Sequence, residues 1–272
     1  MNGIIDEKKT KVIAVMNQKG GCAKTATVIN LAMGLARAHK KVLAIDCDPQ
    51  GSMTRGFGIR EEDDLEYTIK NVFEDVVNGE DLSIFKEHII EHDEDGAKIE
   101  LLPANISLAG VEQFLVVQMG RETVLRDFID TIRGEYDYIL LDCNPSLGLI
   151  NMNAIIACDE MIIPVEAEDA CANGLKQLLA TVRRCKRGYN KKLKIKGILF
   201  TLVKSNVNLH AEIMREVTDI FGGNIRIFNS VIPNTIKVAE SNHAGVSIYK
   251  YRKNNMAAIA YEEFTEEVLE DE

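Results

Sequence analysis

Short apolar runs alternate with longer amphipathic stretches along most of this 272-residue chain. The runs are four to seven residues long and apolar at nearly every position, which is typical of strands that are buried on both faces. They predict seven strands, at Lys11–Met16, Lys41–Ile45, Ile99–Leu102, Tyr138–Leu141, Glu160–Val165, Lys196–Leu202 and Arg226–Ile232.

The stretches between these runs have the apolar spacing of helices that cover one face of a sheet. They predict helices at Lys24–His39, Leu65–Val77, Ser107–Arg133 (which need not be continuous), Leu147–Ala157, Asn173–Arg187, Leu209–Phe221 and Met256–Leu269. Alternating strands and helices favour right-handed crossovers and parallel pairing. The predicted fold class is α/β, a doubly wound and mostly parallel sheet with helices on both faces.

No Pro/Gly/Ser-rich linker divides the sequence, so residues 1–272 are expected to form a single domain with a flexible N-terminus over residues 1–10. In such a sheet the ligand lies at the carboxyl ends of the strands. The chain has no apolar run of membrane-spanning length, and its start lacks the apolar segment of a signal peptide. Its six cysteines form no C-x-x-C pair and are expected to be reduced thiols in a cytoplasmic protein.

Charge is distributed unevenly along the chain. The net charge is −10 and the pI about 5.2, which argues against a protein that is basic over its whole surface. Between Arg183 and Lys196, however, eight residues are positive and none is negative. A solvated helix end would explain some of these charges, but not so many in an acidic chain. Only this local cluster could attract nucleic acid.

The segment MNQKGGCAKTAT (residues 16–27) lies between the first predicted strand and the first predicted helix. In that position the backbone N–H groups of Gly20 to Thr25 can surround a phosphate at the N-terminus of the helix. Lys24 would reach the β- and γ-phosphates, and the Thr25 hydroxyl would bind Mg²⁺. The segment departs from the phosphate-loop pattern G-x-x-x-x-G-K-[ST], because Gln18 and Ala23 replace its two outer glycines.

Aspartates follow two further strands. Asp46 and Asp48 end the strand in KKVLAIDCDPQGS, and Asp142 ends the strand in YDYILLDCNPSLG. Each of them alone would more often be a turn or helix-capping residue. Three of them at the edge that carries a phosphate loop predict a magnesium site instead.

Together these segments resemble the ParA/Soj family of partition ATPases, in the deviant-Walker branch of P-loop NTPases that also holds MinD and the nitrogenase iron protein. The resemblance covers residues 11–269 and is to the small form of the family, so the N-terminal helix-turn-helix domain of larger members is not expected here. It rests on NQKGGCAKT, IDCDPQGS, LLPANISLAG, YDYILLDCNPSLG, NAIIACDEMIIPVEAE and SVIPNTIKVAESNHAGVSI. It implies a slow ATPase that uses ATP and Mg²⁺ and dimerises around them.

The resemblance also implies roles for individual residues. Lys19 matches a signature lysine that reaches across the dimer to the partner's ATP, so the deviant pattern begins there rather than at Gln18. Asp48 matches the residue that orients the attacking water, Asp142 matches the Walker B acid, and Asp46 would support Mg²⁺ or the loop. The implied nucleotide contacts are Lys19, Gly20, Gly21, Cys22, Ala23, Lys24, Thr25 and Ala26, with Pro233 and Asn234 at adenine.

Three positions depart from the family pattern. Ala23 replaces the commoner glycine, and its methyl group would cost roughly 1 kcal/mol if the backbone there has a positive φ. Ala26 replaces a common threonine but keeps the N–H that can meet the α-phosphate. Asn144 replaces a usual proline after Asp142, which predicts a more mobile loop.

The family resemblance implies three kinds of partner. They are a second copy of the chain, double-stranded DNA bound without sequence preference on the nucleoid, and a ParB-like protein that stimulates hydrolysis. The implied DNA contacts are Arg183, Arg184, Lys186 and Arg187. One alternative is a MinD-like membrane-associated ATPase, which the acidic tail AYEEFTEEVLEDE disfavours because such proteins use a basic amphipathic helix. Another is a metabolic or redox enzyme of the same branch.

Overall fold

The computed structural model describes residues 10–168, 171–204 and 206–270, so most of the N-terminal segment predicted to be flexible lies outside the described residues. Its strands are β1 Lys11–Val15, β2 Val42–Cys47, β3 Ile90–Glu94, β4 Ala97–Leu102, β5 Tyr138–Cys143, β6 Glu160–Glu166, β7 Lys194–Val203 and β8 Ile227–Pro233. Its helices are α1 Lys24–Arg37, α2 Ser52–Gly56, α3 Ile69–Asn78, α4 Phe85–His88, α5 Ala109–Val116, α6 Val124–Ile132, α7 Leu149–Ala157, α8 Cys171–Gly188, α9 Asn208–Phe221, α10 Ile236–Ala244, α11 Ile248–Arg252 and α12 Met256–Leu269.

The strands form one eight-stranded sheet in the order β3-β4-β2-β5-β1-β6-β7-β8. All neighbours are parallel except β3 and β4. β1 lies in the middle of the sheet, with β5 and then β2 on one side and β6 on the other. The carboxyl ends of these central strands therefore meet at one edge, where the sequence places its candidate chemistry.

Alternate side chains of each central strand enter two separate hydrophobic cores, as the pleat of a strand requires. Val12 and Ala14 of β1 pack in one core with α3, α5, α6, α7, α8 and α9. Ile13 and Val15 pack in the other with α1, α10, α11 and α12. The predicted mostly parallel sheet with helices on both faces is therefore confirmed. In the part of the chain that the structure describes, no helix is long and apolar enough to cross a membrane.

The antiparallel edge strand β3 was not predicted. Its sequence, IEHDE, is mostly polar, and its residues alternate between half-buried and exposed positions up to the buried Glu94. The turn to β4 is formed by Asp95 and Gly96, whose φ angles are 55° and 91°. An Asp-Gly pair with two positive φ angles is the preferred two-residue hairpin turn, and it is the signal in the sequence that could have indicated this strand.

Several helix boundaries also differ from prediction. The stretch Ser107–Arg133 is not one helix, because α5 ends at Val116 and α6 begins at Val124, with Gly120 at φ 71° between them. The helix predicted at Leu65–Val77 begins at Ile69, where Thr68 and Asn71 form a reciprocal capping box. The short helices α2, α4, α10 and α11 were not predicted, since few apolar positions fit within so few residues.

Candidate nucleotide-binding site

The loop between β1 and α1 contains two residues with left-handed backbone conformations. Gly21 has φ 77°, and Ala23, the N-cap residue immediately before α1, has φ 62° and ψ 29°. The left-handed region disfavours a residue with a Cβ, so the sequence-based condition for a cost of roughly 1 kcal/mol at Ala23 is met. Neighbouring strands fix the loop, since Thr201 donates a hydrogen bond to the Cys22 carbonyl at 3.0 Å and Asn17 donates to the Pro164 carbonyl at 2.7 Å.

Two side chains at the start of α1 point into the site. The Lys24 ammonium donates to the Lys19 carbonyl at 3.0 Å, so it lies across the mouth of the loop although the residue is only 8% exposed. The Thr25 hydroxyl donates to Oδ2 of Asp142 at 2.7 Å. A lysine across a glycine-rich loop and a hydroxyl beside a strand-end carboxylate are the arrangement that a phosphate chain with its cation requires.

Asp46 and Asp142 lie side by side at the ends of β2 and β5, where the strand register pairs them directly. Oδ2 of Asp46 accepts hydrogen bonds from the backbone N–H and the hydroxyl of Thr54, and Oδ1 accepts one from the Asp48 N–H. Among the described residues, Oδ1 of Asp142 has no partner although it is buried. The structure therefore brings the two predicted acids together but satisfies only one of them.

Burial raises the pKa of Asp46 to about 6, although the hydrogen bonds from Thr54 oppose the shift. Burial also raises the pKa of Asp142 well above its ordinary value, and the neighbouring Asp46 carboxylate adds to the shift. A cation at this edge would offset both causes, because it supplies the opposite charge that two buried carboxylates lack. The unpartnered Asp142 oxygen and the Thr25 hydroxyl are hard oxygen donors of the kind that Mg²⁺ prefers, so the residues present fit this metal.

Lys19 lies at the start of the loop and contacts two acids of its own chain. Its ammonium is 3.0 Å from Glu166 Oε2 at the end of β6 and 2.6 Å from Glu168 Oε2. Burial opposes the charge of Lys19, but the hydrogen bonds and attraction of the two glutamates outweigh burial and raise its pKa. The resemblance did not predict these partners. They form ion pairs with the same lysine that the resemblance implies for contact with a second subunit.

A cavity of about 610 Å³ opens beside the loop. Its lining includes residues to which the resemblance gives a role in nucleotide binding or catalysis, namely Gly20, Gly21, Ala23, Lys24, Thr25, Ala26 and Asp48. Sequence reasoning did not assign any role to Arg55, Arg60, Asn242 and His243, which line it as well. Pro233 and Asn234 lie instead at the end of β8, where the Asn234 N–H donates to the Val203 carbonyl at 2.9 Å.

Asn144 makes hydrogen bonds within the loop after Asp142, the loop for which the sequence predicts greater mobility. Oδ1 of Asn144 accepts from the Ser146 N–H at 2.9 Å and from Nδ2 of Asn151 at 2.7 Å. The same Asn151 amide donates to the Asn144 carbonyl at 2.7 Å. An asparagine can thus fix this loop by hydrogen bonds where a proline would restrict it through its ring.

The predicted DNA contacts lie on exposed positions near the C-terminus of α8. They border a groove of about 890 Å³ whose other walls include Gln18 of the phosphate loop and Leu147 of the loop after Asp142. The groove is lined by Gln18, Leu147, Gln177, Ala180, Thr181, Arg183, Arg184, Lys186 and Arg187. The basic cluster is therefore adjacent to both loops that frame the nucleotide site.

Comparison with known proteins gives the same picture. A family model described as an AAA domain matches residues 10–195. The sporulation initiation inhibitor protein Soj of Bacillus subtilis is 37% identical over 258 residues, which cover 95% of this chain and 98% of that protein. The chromosome-partitioning ATPase Soj of Treponema pallidum is 34% identical over 261 residues, covering 95% of this chain and 97% of that protein.

A solved structure is similar over a comparable length. It is cobyrinic acid a,c-diamide synthase from Mycobacterium smegmatis with bound ADP and magnesium, with a TM-score of 0.81 and 31% identity over 96% of this chain and 94% of that one. In that similar protein the fold holds a nucleotide and magnesium. This chain has a phosphate loop and strand-end acids, and it is similar to Soj proteins over nearly its whole length. The protein is therefore a member of the ParA/Soj family of P-loop ATPases.

Proposed function

We propose that this ATPase partitions DNA. It dimerises around ATP and Mg²⁺, the dimer binds double-stranded DNA on the nucleoid without sequence preference, and a ParB-like protein stimulates hydrolysis and release. The observation that carries the proposal is the groove whose arginines and lysine adjoin Gln18 and Leu147. A surface for polyanions next to the two nucleotide loops is what DNA binding controlled by ATP requires.

In this proposal each residue of the nucleotide site has a defined task. The backbone N–H groups of Gly20 to Ala26 hold the phosphates, and Lys24 neutralises the charge of the β- and γ-phosphates. Thr25 and Asp142 would hold Mg²⁺, which neutralises phosphate charge when it is bound. Asp48, half-buried at the rim of the cavity, orients the attacking water. Pro233 and Asn234 flank adenine at the end of β8.

Lys19 acts across the dimer in this proposal. Its side chain is 35% exposed, so the ammonium can leave Glu166 and Glu168 without a large change in its solvation. In the dimer it would contact the partner's phosphates and stabilise the negative charge that develops on the transferred phosphoryl group. Replacing it would therefore abolish both dimerisation with ATP and every property that depends on the dimer.

DNA binding in this proposal uses charge alone. Contacts between basic side chains and phosphates carry no sequence information, and they weaken steeply as salt concentration rises. A basic cluster in a chain of net charge −10 confines the attraction to one surface. DNA would therefore meet the protein at the groove along α8, beside the loops that respond to ATP.

The test is binding to random-sequence DNA with ATP, ADP or no nucleotide, measured by fluorescence anisotropy at several salt concentrations. We expect binding with ATP only, and no binding in Lys19→Ala. Removing three phosphate contacts should reduce the magnitude of the slope of log K against log salt by roughly three. The variant for that purpose reverses Arg183, Arg184 and Arg187 to glutamate. Equal binding in all three nucleotide states would contradict the proposal.

The chain offers a matched control for this variant. Lys191, Lys192 and Lys194 are exposed members of the same basic cluster, and they lie outside the groove. Reversing these three to glutamate changes the net charge by the same amount. DNA binding that fell equally in both triple variants would show that overall charge, rather than the groove, is responsible.

A second candidate function is amide ligation, because the similar Mycobacterium structure is named as a diamide synthase. A ligase of that kind would couple ATP consumption to a carboxylate acceptor and a nitrogen donor such as glutamine. Hydrolysis that depended on a corrinoid carboxylate and glutamine, and did not respond to DNA, would favour this candidate over partition.

A further inference from the structure

Arg55 lies on the short helix α2 and lines the same cavity as Lys24, Thr25 and Asp48. Helix α2 is fixed to the strand end beneath the cavity, because Thr54 donates two hydrogen bonds to Asp46. The Arg55 side chain is 41% exposed, so the guanidinium is accessible to a molecule in the cavity. The geometry thus places a permanent positive charge on a rigid element that lines the same cavity as the phosphate loop.

One nitrogen of this guanidinium donates a hydrogen bond to Oε1 of Glu62. Glu62 is only 13% exposed, and the Asn105 amide holds its backbone carbonyl at 3.1 Å. A guanidinium has five N–H donors in a planar fork, so a contact through one nitrogen leaves others that can point into the cavity. Glu62 is therefore placed to fix the position of Arg55 and to compete for its charge.

During ATP hydrolysis, negative charge develops on the oxygens around the γ-phosphorus, which Lys24 would contact. A water oxygen bonds to the γ-phosphorus, the bond from that phosphorus to the β–γ bridging oxygen breaks, and ADP leaves with the electron pair while phosphate and a proton are released. Charge then spreads over the γ-phosphoryl oxygens, and a fixed cation near them lowers the barrier. Arg55 is a cation on α2 that lines the cavity beside the phosphate loop.

We propose that Arg55 contacts the γ-phosphate of ATP bound to its own chain, and that Glu62 restrains it when no ATP is present. The protein thus carries a catalytic arginine in cis, in addition to the lysines of its phosphate loop. The proposal rests on ATP hydrolysis by this family and is independent of the DNA-partition function. The ligand is a nucleoside triphosphate, distinguished from the diphosphate by its terminal phosphoryl group.

The test compares wild type with Arg55→Ala, Arg55→Lys, Glu62→Gln and the double variant Arg55→Ala/Glu62→Gln. Turnover of ATP and equilibrium binding of ADP and of a slowly hydrolysed ATP analogue are measured on the full chain without DNA. We expect Arg55→Ala to lower kcat at least about tenfold and to reduce the preference for the analogue over ADP. Arg55→Lys should retain part of the rate, because it keeps the charge and loses the fork.

Glu62→Gln should have the opposite effect and raise the basal rate, because the neutral amide competes less for the guanidinium. In the double variant the gain should disappear, since Arg55 is needed for it. A purely structural pair predicts another result, in which both single variants lower turnover in parallel with their unfolding temperature and leave the preference for the analogue over ADP unchanged. That result, or unchanged turnover in Arg55→Ala, would overturn the proposal.

Two control variants match these changes elsewhere in the chain. Glu61→Gln removes the neighbouring exposed acid, and Lys70→Ala breaks the surface ion pair of Lys70 with Glu74 on α3. Both should leave turnover within about twofold of wild type, since exposed ion pairs contribute little. DNA binding with the ATP analogue, measured on the same samples, separates a failure of this proposal from a failure of the partition function.

Discussion

The ends of β2 and β5 carry the same residue type at paired positions but use it differently. At the end of β2, Asp46 itself holds the following segment, because its two carboxylate oxygens accept hydrogen bonds from Thr54 and Asp48. At the end of β5, Asn144 and Asn151 hold the following loop, and Asp142 keeps one buried oxygen without a partner in the described residues.

This difference assigns the two acids to different tasks. A buried carboxylate that accepts three hydrogen bonds stabilises the fold, and it has little capacity left for a ligand. A buried oxygen without a hydrogen-bond partner lowers the free energy of unfolding, and it is retained where it has a function. The contacts of Asp46 are all with the segment that follows β2, so we expect it to support that segment. We expect Asp142, which keeps a buried oxygen without a partner in the described residues, to be the acid that binds Mg²⁺.

The largest expected effect is that of Asp142→Asn on hydrolysis. Removing the available carboxylate should lower kcat roughly 100-fold or more, because the cation loses its charged ligand. The nucleotide-free protein should not unfold at a lower temperature, since the change removes a buried charge beside Asp46. Turnover with Mg²⁺ or with EDTA, together with thermal unfolding, checks both expectations. A large loss of stability would contradict the assignment of Asp142.

Asp46→Asn should instead act on stability. The amide would place an N–H₂ group against an N–H or hydroxyl donor, at a cost of about 2 kcal/mol in the free energy of unfolding. Urea denaturation of the nucleotide-free protein measures this loss, with the exposed Asp63→Asn as control. If Asp46→Asn were as stable as the control, the contacts of Thr54 and Asp48 would not carry the role proposed for them.

Asn151→Ala tests the loop at the end of β5. It removes the amide that donates to both the side chain and the carbonyl of Asn144, and we expect a loss of about 1–2 kcal/mol. Amide exchange over residues 145–148 should become faster, while exchange in α2 should stay unchanged. Uniform acceleration in both segments would mean that the two strand ends are coupled rather than separately anchored.

The smallest expected effect concerns the phosphate loop, which contacts the β5 end through Thr25. Because Ala23 has φ 62°, Ala23→Gly should stabilise the nucleotide-free protein by about 0.5–1 kcal/mol. Ala36→Gly inside α1 should destabilise it by about 1 kcal/mol, which gives a control of opposite sign. Calorimetric unfolding distinguishes the two, and a loss of stability in Ala23→Gly would show that the loop is not strained.

The sequence predicted the central strands and the meeting of the candidate residues at one edge well. Those strands are buried on both faces, so their apolar runs are unambiguous. It did not predict β3, whose partly exposed edge position tolerates polar residues, nor the short helices α2 and α10 that supply Arg55, Asn242 and His243 to the cavity.

The distinction between Asp46 and Asp142 could not be predicted either. It depends on a threonine eight residues after Asp46 and on an asparagine seven residues after Asn144, and the sequence does not show which way their side chains turn. The contacts of Lys19 with Glu166 and Glu168 likewise depend on β6 lying beside β1, which follows from strand order and not from any local pattern.

Ionic strength should have two opposed effects on the proposed cycle. One of them arises from the pairing of Lys19 with Glu166 and Glu168. The pair is partly exposed, so added salt screens it and lowers the free energy needed to release the lysine toward a second subunit. The same salt weakens phosphate contacts at the groove along α8. Assembly with ATP should therefore tolerate salt concentrations at which DNA is already released, so dimers free of DNA should accumulate between these two limits.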